Sequence, residues 1–371
     1  MTFIALDFYP TNGYPRNFDQ EQQVPQIEIA NRSIGQGCSP YVIAELSANH
    51  NGKLENALRI IEEAKKAGAD AVKLQTYKPD TITLPSDSDD FKIHGGLWDG
   101  RTLYDLYDEA HMPWEWHTSL FEYAHQLGIT IFSSPFDTTA IDLLENLNAP
   151  AYKIASFEAI DLQLIKYAAS TGKPMIISTG MADAEEIQEA IDAARSGGCK
   201  ELAILHCVSG YPAPADDYNL HTITDMIQRF GLVTGLSDHT LDNTTSIASV
   251  ALGASIIEKH FTLDRNGGGP DDSFSIEPSD LKALCQGAKT AWQALGQVSY
   301  ARKSSEQANV KFRRSLYFVK DLQTGDVVTP EVVRSVRPGY GLAPKHLEAV
   351  IGKKVTRAVK AATPVKWEFL T

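Results

Sequence analysis

Two apolar runs of the chain end on histidine. The run "GLVTGLSDH" places His239 directly after Ser237 and Asp238, and the later run "GASIIEKHF" carries His260 at the corresponding point. A single histidine in such a place is more often a packed or capping imidazole. Two of them, at the ends of two strands, could also bind one divalent metal ion, because imidazole nitrogen is a common ligand of such ions. Their neighbours decide between these interpretations.

Polar or ionisable residues also end the other apolar runs. In chain order they are Glu45, Asn49 and His50; Lys73 and Gln75; Ser133, Ser134 and Asp137; Lys153, Ser156 and Glu158; Ser178 and Thr179; and His206 and Ser209. The two histidine-ending runs add Ser237, Asp238, Glu258 and Lys259. Lysines and carboxylates are almost never fully buried unless they are paired. A purely structural explanation would have to hold at all these run ends together, so we expect a binding or catalytic site.

The residue types indicate the ligand. Lys73 and Lys153, surrounded by serines, suit a dianionic phosphate and a carboxylate, because fixed positive charges and hydroxyl donors stabilise such anions. Glu45 and Glu158 suit proton transfer or the binding of sugar hydroxyls. The site is therefore predicted to bind a phosphorylated small carboxylate, a polar second substrate and a metal ion.

Two reaction classes fit these residues. One is a metal-assisted condensation that uses phosphoenolpyruvate. The other is a Schiff-base aldolase, in which Lys73 or Lys153 attacks a carbonyl carbon. The histidine pair favours the first class.

From residue 41 onward the chain has a repeating pattern, which indicates the strands and helices that would bring these residues together. Eight short, β-branched apolar runs alternate with amphipathic helical stretches, as in "PMIISTGM" followed by an N-cap at Asp183 with Glu186 three residues later. Eight such units predict a closed (β/α)8 barrel, in which catalytic residues lie at the carboxyl ends of the strands. A doubly wound open sheet is the alternative. It would need a glycine-rich phosphate loop after the first strand, and "AELSANHNG" is not one.

One segment interrupts the alternation. The stretch "KPDTITLPSDSDDFKIHGGLWDGRTLYDLYDEAHMPWEW" lies between the second and third strands and is too long for an ordinary βα loop. Its tryptophans, tyrosines and acidic residues suggest an insertion that covers the substrate. A surface excursion without a role is the alternative.

The chain divides into segments of different composition and residue pattern. We expect residues 1–25 to form an extension outside the core, residues 26–298 the barrel, residues 299–311 a polar linker, and residues 312–371 a small, mostly β domain. A domain of that size is close to the lower limit for independent folding.

Composition narrows the class of protein. The chain has 371 residues with 43% hydrophobic content, and it has no apolar run long enough to span a membrane. Its cysteines are scattered without a CxxC pair, which is typical of a reduced, cytoplasmic protein. The net charge is −13, yet the segment from Arg302 to Thr371 contains fourteen Lys and Arg against six Asp and Glu. The absence of a dense basic run argues against nucleic acid and favours a contact between the basic segment and an acidic subunit.

Several ordered motifs resemble those of the sialic acid synthase family. They are "IAELSANHNG", "AGADAVKLQT", "YKIAS", "ISTGM", "GLSDHT", "EKHF" and "GGPDDSFS", followed by "RPGYGL" near the C-terminus. The similarity runs from about residue 26 to the end of the chain. It implies a TIM barrel followed by an antifreeze-like (SAF, β-clip) domain.

The resemblance also implies a reaction. The methylene carbon of phosphoenolpyruvate attacks the open-chain aldehyde of an amino sugar, water adds to the resulting cation, and phosphate leaves through C–O cleavage. The product is a nonulosonic acid, a nine-carbon sugar acid. The implied cofactor is a divalent ion, Mn²⁺ first and Mg²⁺ or Co²⁺ as alternatives, with His239 and His260 as its ligands.

The family's other site residues carry over to matching positions. Those for phosphoenolpyruvate are Lys73, Ser134, Lys153, Ser156, Ser178, Ser209 and Ser237. Those for the sugar are Gln75, Glu158, Tyr211 and Asp271. Glu45 matches a glutamate near the reacting carbons and is expected to act as acid or base, with Lys73 and Lys153 as the other catalytic residues.

Particular segments resemble the pseudaminic acid synthase branch of that family. "IAELSANHN", "LWDGRTLYDLYDEAHMPWEW", "FSSPFD" and "HCVSGYPAP" carry this resemblance. It implies a 2,4-diacetamido-2,4,6-trideoxy hexose as the acceptor sugar. An N-acetylneuraminate or legionaminate synthase is the alternative, and a non-catalytic sugar-binding relative is the third interpretation.

The basic C-terminal domain is expected to act across a homodimer. In the family an arginine of the "RPG" motif reaches the sugar from the other subunit, and Arg337 occupies that position here. The implied partners are small-molecule substrates and a second copy of the chain, with neither nucleic acid nor membrane. A solvated turn arginine is the alternative.

Overall fold

Eight parallel strands close into a barrel within residues 25–371, the part of the chain that the computed structural model describes. They are eight of the twelve strands in the described residues, which in chain order are β1 (Gln26–Ile29), β2 (Arg32–Gly35), β3 (Tyr41–Glu45), β4 (Ala71–Thr76), β5 (Thr130–Pro135), β6 (Tyr152–Ile154), β7 (Met175–Ser178), β8 (Leu202–Cys207), β9 (Val233–Asp238), β10 (Ile256–His260), β11 (Ser315–Phe318) and β12 (Val333–Val336). The barrel runs in the order β10-β3-β4-β5-β6-β7-β8-β9. The predicted (β/α)8 barrel is confirmed, and the open-sheet alternative is wrong.

Within the described residues, ten α-helices lie among and after the barrel strands, and an eleventh lies near the C-terminus. They are α1 (Leu54–Ala67), α2 (Pro79–Ile82), α3 (Leu103–Ala110), α4 (His117–Leu127), α5 (Thr138–Asn146), α6 (Leu162–Ser170), α7 (Ala184–Ser196), α8 (His221–Phe230), α9 (Thr244–Ala251), α10 (Pro278–Leu295) and α11 (Leu347–Val350). Their boundaries follow local chemistry. The capping box at the start of α7 is present, since Asp183 accepts from the backbone of Glu186 while Glu186 accepts from that of Asp183. Helix α1 ends at Gly68, whose φ of 97° is left-handed.

The register of the barrel brings the ionisable strand ends to one level. Glu45 of β3 lies beside His260 of β10 on one side and beside Lys73 of β4 on the other. Ser237 of β9 pairs with Glu258 of β10. Parallel strands carry their carboxyl ends to the same edge, so these residues meet at one mouth of the barrel.

The other mouth is closed by the β1–β2 hairpin. Ile27, Ile29 and Ile34 of this hairpin are buried in one cluster with inward-facing residues from the beginnings of the strands, such as Tyr41 and Ile256. The predicted N-terminal extension, residues 1–25, lies outside the described residues except for Pro25. Because this hairpin covers one mouth, the carboxyl ends of the strands are the accessible side of the barrel.

The segment between β4 and β5 contains α2, α3 and a short hairpin. Lys92 and Thr102 form an antiparallel bridge, and Thr102 then caps α3 by accepting from the backbone of Asp105 at 3.1 Å. Residues 78–116 are the stretch predicted from the sequence to be an insertion, and we call them the insertion. It is an ordered part of the barrel unit.

The chain divides into two compact units at Gly296 and Gln297. In the second unit β11 and β12 pair antiparallel, and a small apolar core forms around Leu316, Phe318 and Val333. Within residues 25–371, no helix is long and apolar enough to cross a membrane.

Candidate active site

Two lysines and one glutamate form the centre of the site at the carboxyl ends of the strands. The ammonium of Lys73 lies 3.0 Å from Glu258 Oε1 and 3.2 Å from Glu45 Oε2. The ammonium of Lys153 lies 3.2 Å from the same Glu258 oxygen, and Ser237 Oγ donates to it at 3.4 Å. All five side chains are almost completely buried. Two cations thus converge on one position, where an anionic ligand would meet two fixed positive charges.

Burial and neighbouring charges set the pKa values of this group. Burial alone would lower the pKa of Lys73, but the carboxylates of Glu258 and Glu45 raise it above its ordinary value. For Lys153, burial outweighs Glu258 and leaves the pKa below its ordinary value, with repulsion from Lys73 in the same direction. Burial also raises the pKa of Glu45 to about 7. A carboxyl group with that pKa can gain or lose a proton near neutral pH.

A chain of hydrogen bonds connects Glu45 to the predicted sugar residues. Gln75 Nε2 donates to Glu45 Oε1 at 2.9 Å and to Ser47 Oγ at 3.0 Å, and the Ser47 hydroxyl donates in turn to Asp271. Burial raises the pKa of Asp271. Ser47 has a left-handed backbone, with φ of 49°, which is uncommon outside glycine. The predicted acid or base and two predicted sugar contacts therefore belong to one network.

Serine hydroxyls gather around Gly180, just after β7. The backbone of Gly180 donates to Ser156 Oγ at 3.1 Å. A Cβ on this glycine would collide with the hydroxyls of Ser209 and Ser156. Within the described residues, the buried hydroxyls of Ser178 and Ser209 have no hydrogen-bond partner. A buried polar group without a partner is costly, so these hydroxyls are suited to bind a polar ligand.

The two histidines lie together at the same mouth. The ring centroids of His239 and His260 are 5.4 Å apart, and the ring of Tyr211 is 4.4 Å from that of His239. His239 Nδ1 lies 2.7 Å from the carbonyl oxygen of Val208, which leaves Nε2 for another partner. His260 Nδ1 is buried without a hydrogen-bond partner in the described chain.

This pair has the chemistry of a metal-binding site. Burial, with repulsion from His239 and Lys73, holds the pKa of His260 well below its ordinary value, so its imidazole is neutral, as a ligand must be. Burial would lower the pKa of His239 as well, but the Cys207 thiol raises it. No group of three or more His, Cys, Asp and Glu side chains that could hold a metal ion occurs within residues 25–371. His239 Nε2 and the nitrogens of the neutral His260 imidazole are the atoms of this pair that could hold a divalent ion.

A cavity of about 480 Å³ opens beside this centre. Its polar lining includes Gln75, Glu158, Tyr211, His260 and Asp271, while the insertion and the loops after β5 and β6 contribute its apolar side chains. Burial raises the pKa of Glu158 to about 7, and its Oε2 has no partner among the described residues. The predicted sugar-binding residues of the barrel are thus brought to one cavity.

Two other charged residues near the ends of β9 and β10, Asp238 and Lys259, lie outside this site. Lys259 Nζ lies 2.8 Å from Asp238 Oδ2 and donates to the carbonyl oxygen of Thr240 at 2.6 Å, and both charged side chains are fully enclosed. Successive side chains on a strand point to opposite faces. Ser237 and Glu258 therefore face the site, while their neighbours Asp238 and Lys259 pair on the other face of the sheet.

Arg337 lies in the second unit, where its side chain is exposed.

Two residues of the centre had no role assigned from the sequence, namely Glu258, which holds both lysines, and Ser47, which bridges Gln75 and Asp271. Glu258 and His260 are two residues apart on one strand, and this spacing could have indicated from the sequence that both face the site.

Cys207 also lies in the centre. Although burial raises its pKa, the neighbouring His239 lowers it to about 7. Nothing in the local sequence around this cysteine distinguishes it from an apolar filler.

Comparison with known proteins identifies both units. The model of the NeuB family matches residues 60–300, and that of the SAF domain matches residues 313–371. The predicted antifreeze-like domain is thereby confirmed.

Individual relatives match most of the chain. Pseudaminic acid synthase of Campylobacter jejuni subsp. jejuni serotype O:23/36 (strain 81-176) is 44% identical over 326 residues, covering 88% of this chain and 95% of the relative. Pseudaminic acid synthase of Helicobacter pylori is 44% identical over 328 residues, covering 88% and 96%. Among solved structures, N-acetylneuraminic acid synthetase of Leptospira borgpetersenii, in complex with citrate, superposes with a TM-score of 0.69 at 31% identity, covering 77% of this chain and 95% of that one.

Proposed function

The chain belongs to the NeuB family, and we propose that it condenses phosphoenolpyruvate with a 2,4-diacetamido-2,4,6-trideoxy hexose to form pseudaminic acid and phosphate. The observation that carries this proposal is the convergence of Lys73 and Lys153 on one buried position beside the histidine pair. The sugar is proposed from the relatives, since two that are 44% identical are pseudaminic acid synthases.

Phosphoenolpyruvate would bind between the lysines and the serines. Lys73 and Lys153 supply the positive charge, and their remaining N–H donors can turn from Glu258 towards a phosphate or carboxylate. Ser134, 3.4 Å from the Lys73 ammonium, and Ser237 supply hydroxyls at the lysines, while Ser156, Ser178 and Ser209 supply those around Gly180. The enzyme thus holds the anion by fixed charges and hydroxyls prepared before it arrives.

The sugar would occupy the neighbouring cavity. Gln75, Glu158, Tyr211 and Asp271 line it and offer both donors and acceptors to hydroxyl and amide groups. Glu45 is joined to these residues through Gln75, and its pKa of about 7 suits a group that exchanges a proton with the sugar oxygen or with the attacking water. The buried site also keeps bulk water from the reactive cation.

We propose that His239 and His260 hold a divalent ion, with Mn²⁺ preferred over Mg²⁺ or Co²⁺. Such an ion would act as a Lewis acid on the aldehyde oxygen. A chelator is expected to abolish turnover and added Mn²⁺ to restore it. Full activity of His260→Ala in metal-free buffer would contradict the assignment.

A homodimer is the proposed assembly, with each basic C-terminal domain over the barrel of its partner and Arg337 completing the partner's site. The exposed arginine and the exposed Phe157, Ile160 and Met181 that follow β6 and β7 support it, because such side chains are typical of contact surfaces. Inactive Lys73→Ala and Arg337→Ala variants, mixed under subunit exchange, should regain part of the activity. Confirmed exchange without any activity would contradict the arrangement.

One assay separates this function from the Schiff-base alternative. Phosphate should be released from phosphoenolpyruvate only when the amino sugar is present, and borohydride should neither inactivate nor label the enzyme. The lowered pKa of Lys153 makes this lysine the one to inspect. A reduced adduct on it, formed with substrate, would favour the aldolase.

A further inference from the structure

The cavity beside the site takes much of its apolar lining from the insertion. Ile93, Trp98, Leu103 and Tyr107 line it, and we call these four side chains the insertion wall. A hexose with a full set of hydroxyls has no apolar end, and a hydroxyl pressed against such a wall would lose its hydrogen bonds. The wall therefore fits a sugar on which a methyl group replaces a terminal hydroxyl.

The backbone of the insertion holds the wall in place. Ile93 N donates to the carbonyl oxygen of Arg101 at 2.8 Å, and Gly100 N donates back to that of Ile93 at 2.9 Å. The loop they close carries Trp98 at its tip. The indole N–H of Trp98 donates to the carbonyl oxygen of Pro270 at 3.2 Å, which ties the loop to the segment that carries Asp271.

Aromatic contacts hold the remainder of the wall. The ring of Tyr107 packs edge-on against Tyr77 at 5.8 Å, and Tyr77 packs in the same manner against Phe136 at 5.1 Å. Leu103 begins α3, whose first turn is fixed by the Thr102 cap. A wall that is fixed before the ligand binds can discriminate between sugars of nearly equal shape, since moving it away from an unsuitable group has a cost.

We propose that the insertion wall is the specificity determinant for the terminal methyl group of the sugar. This inference rests on the proposed function and deepens it. The residues after the barrel strands act on the aldehyde end, while Ile93 and Leu103 of the wall contact C6 and discriminate against a 6-hydroxyl group.

Two sugars that differ only at C6 provide the test. They are a 2,4-diacetamido-2,4,6-trideoxy hexose and its 6-hydroxy counterpart, and calorimetry measures the binding of each without phosphoenolpyruvate. The variants are Leu103→Asn, which nearly keeps side-chain shape, and Ile93→Thr, which keeps the branch at Cβ but loses one carbon; both add polarity. Leu97→Asn is the matched control, because Leu97 belongs to the same loop but is 52% exposed and does not line the cavity.

The wild-type protein should bind the trideoxy sugar about 10-fold or more tightly than its 6-hydroxy counterpart, as one polar group in an apolar pocket permits. Leu103→Asn and Ile93→Thr should each reduce that ratio to near unity, and Leu97→Asn should leave it unchanged. Equal binding of both sugars by the wild type, binding of neither, or an unchanged ratio in both wall variants would overturn the inference.

Turnover distinguishes this inference from the proposed function. If the wild type discriminates between the sugars and the wall variants do not, but no phosphate is released from phosphoenolpyruvate, then the insertion wall stands and the proposed reaction fails. If phosphate is released with both sugars at equal kcat/KM and binding is also equal, then the reaction stands and the wall does not.

Discussion

Lys259 and Asp238 form one buried ionic group of the barrel, and Lys73, Lys153 and Glu258 form another. In the first, each charge has its own partner, with Lys259 also bonded to Thr240 and Asp238 accepting from Ser246. In the second, two lysines share one oxygen of Glu258, and Lys73 also lies beside Glu45. Glu258 and Lys259 are neighbours on β10 but belong to different groups. Lys259 and Asp238 are fully partnered, and we call them the closed pair. Lys73, Lys153 and Glu258 can still bind a ligand, and we call them the open group.

The difference shows what marks a functional group inside a core. Burial of charge alone does not, because both groups are buried. Incomplete pairing does, since the open group is surrounded by buried polar atoms without partners in the described chain, such as Glu258 Oε2, Ser178 Oγ and His260 Nδ1. Such atoms are rare in folded proteins, and these three lie at the carboxyl ends of the strands, where a ligand could satisfy them.

The largest expected effect follows from removing a lysine of the open group. Lys73→Met should lower kcat/KM by about 10³-fold or more, because a fixed charge on the reacting anion is lost. The barrel should lose little stability, since Glu258 keeps Lys153 and Glu45, whose pKa is already about 7, can take up a proton. Steady-state phosphate release and thermal unfolding measure the two quantities. If Lys73→Met lowered the free energy of unfolding as much as the corresponding change at Lys259, the two groups would not differ in their structural role.

The matched change in the closed pair should have the opposite profile. Lys259→Met leaves the carboxylate of Asp238 buried without its cation, and the free energy of unfolding should fall by about 3–5 kcal/mol. The KM for phosphoenolpyruvate in the remaining folded protein should stay within about 2-fold, because this lysine faces away from the site. A large rise in that KM with unchanged stability would place Lys259 among the ligand contacts.

A smaller effect concerns pH and the sugar cavity. Burial raises the pKa of Glu158 to about 7, so its acceptor form, the carboxylate, is populated as the pH rises through that value. Sugar binding should therefore tighten by about 5-fold from about pH 6 to pH 7 and by no more than about 2-fold above pH 7. Glu158→Gln should remove this dependence from the sugar KM while the pH profile of kcat persists. An identical KM profile in this variant would assign the dependence to another group.

Much of this organisation could be predicted from the sequence because it depends on local patterns. Buried parallel strands read as apolar runs, and the carboxyl ends of barrel strands collect the residues that follow them. The histidine pair and the lysines were predicted on that basis. Neither the sharing of Glu258 by two lysines nor the lowered pKa of Cys207 could be predicted, since both depend on distances between strands remote in sequence. The path of the insertion could not be predicted from the sequence either, because its hairpin has no regular alternation of apolar and polar residues.

The proposed reaction joins phosphoenolpyruvate to an amino sugar and breaks the C–O bond of the phosphate ester. Phosphoenolpyruvate labelled with ¹⁸O in the bridging oxygen tests it directly, with the trideoxy sugar, Mn²⁺ and mass spectrometry of both products. Each turnover should give one nonulosonic acid without the label and one phosphate with the label. Pyruvate as the product, label retained in the sugar acid, or phosphate released without any sugar acid would contradict it.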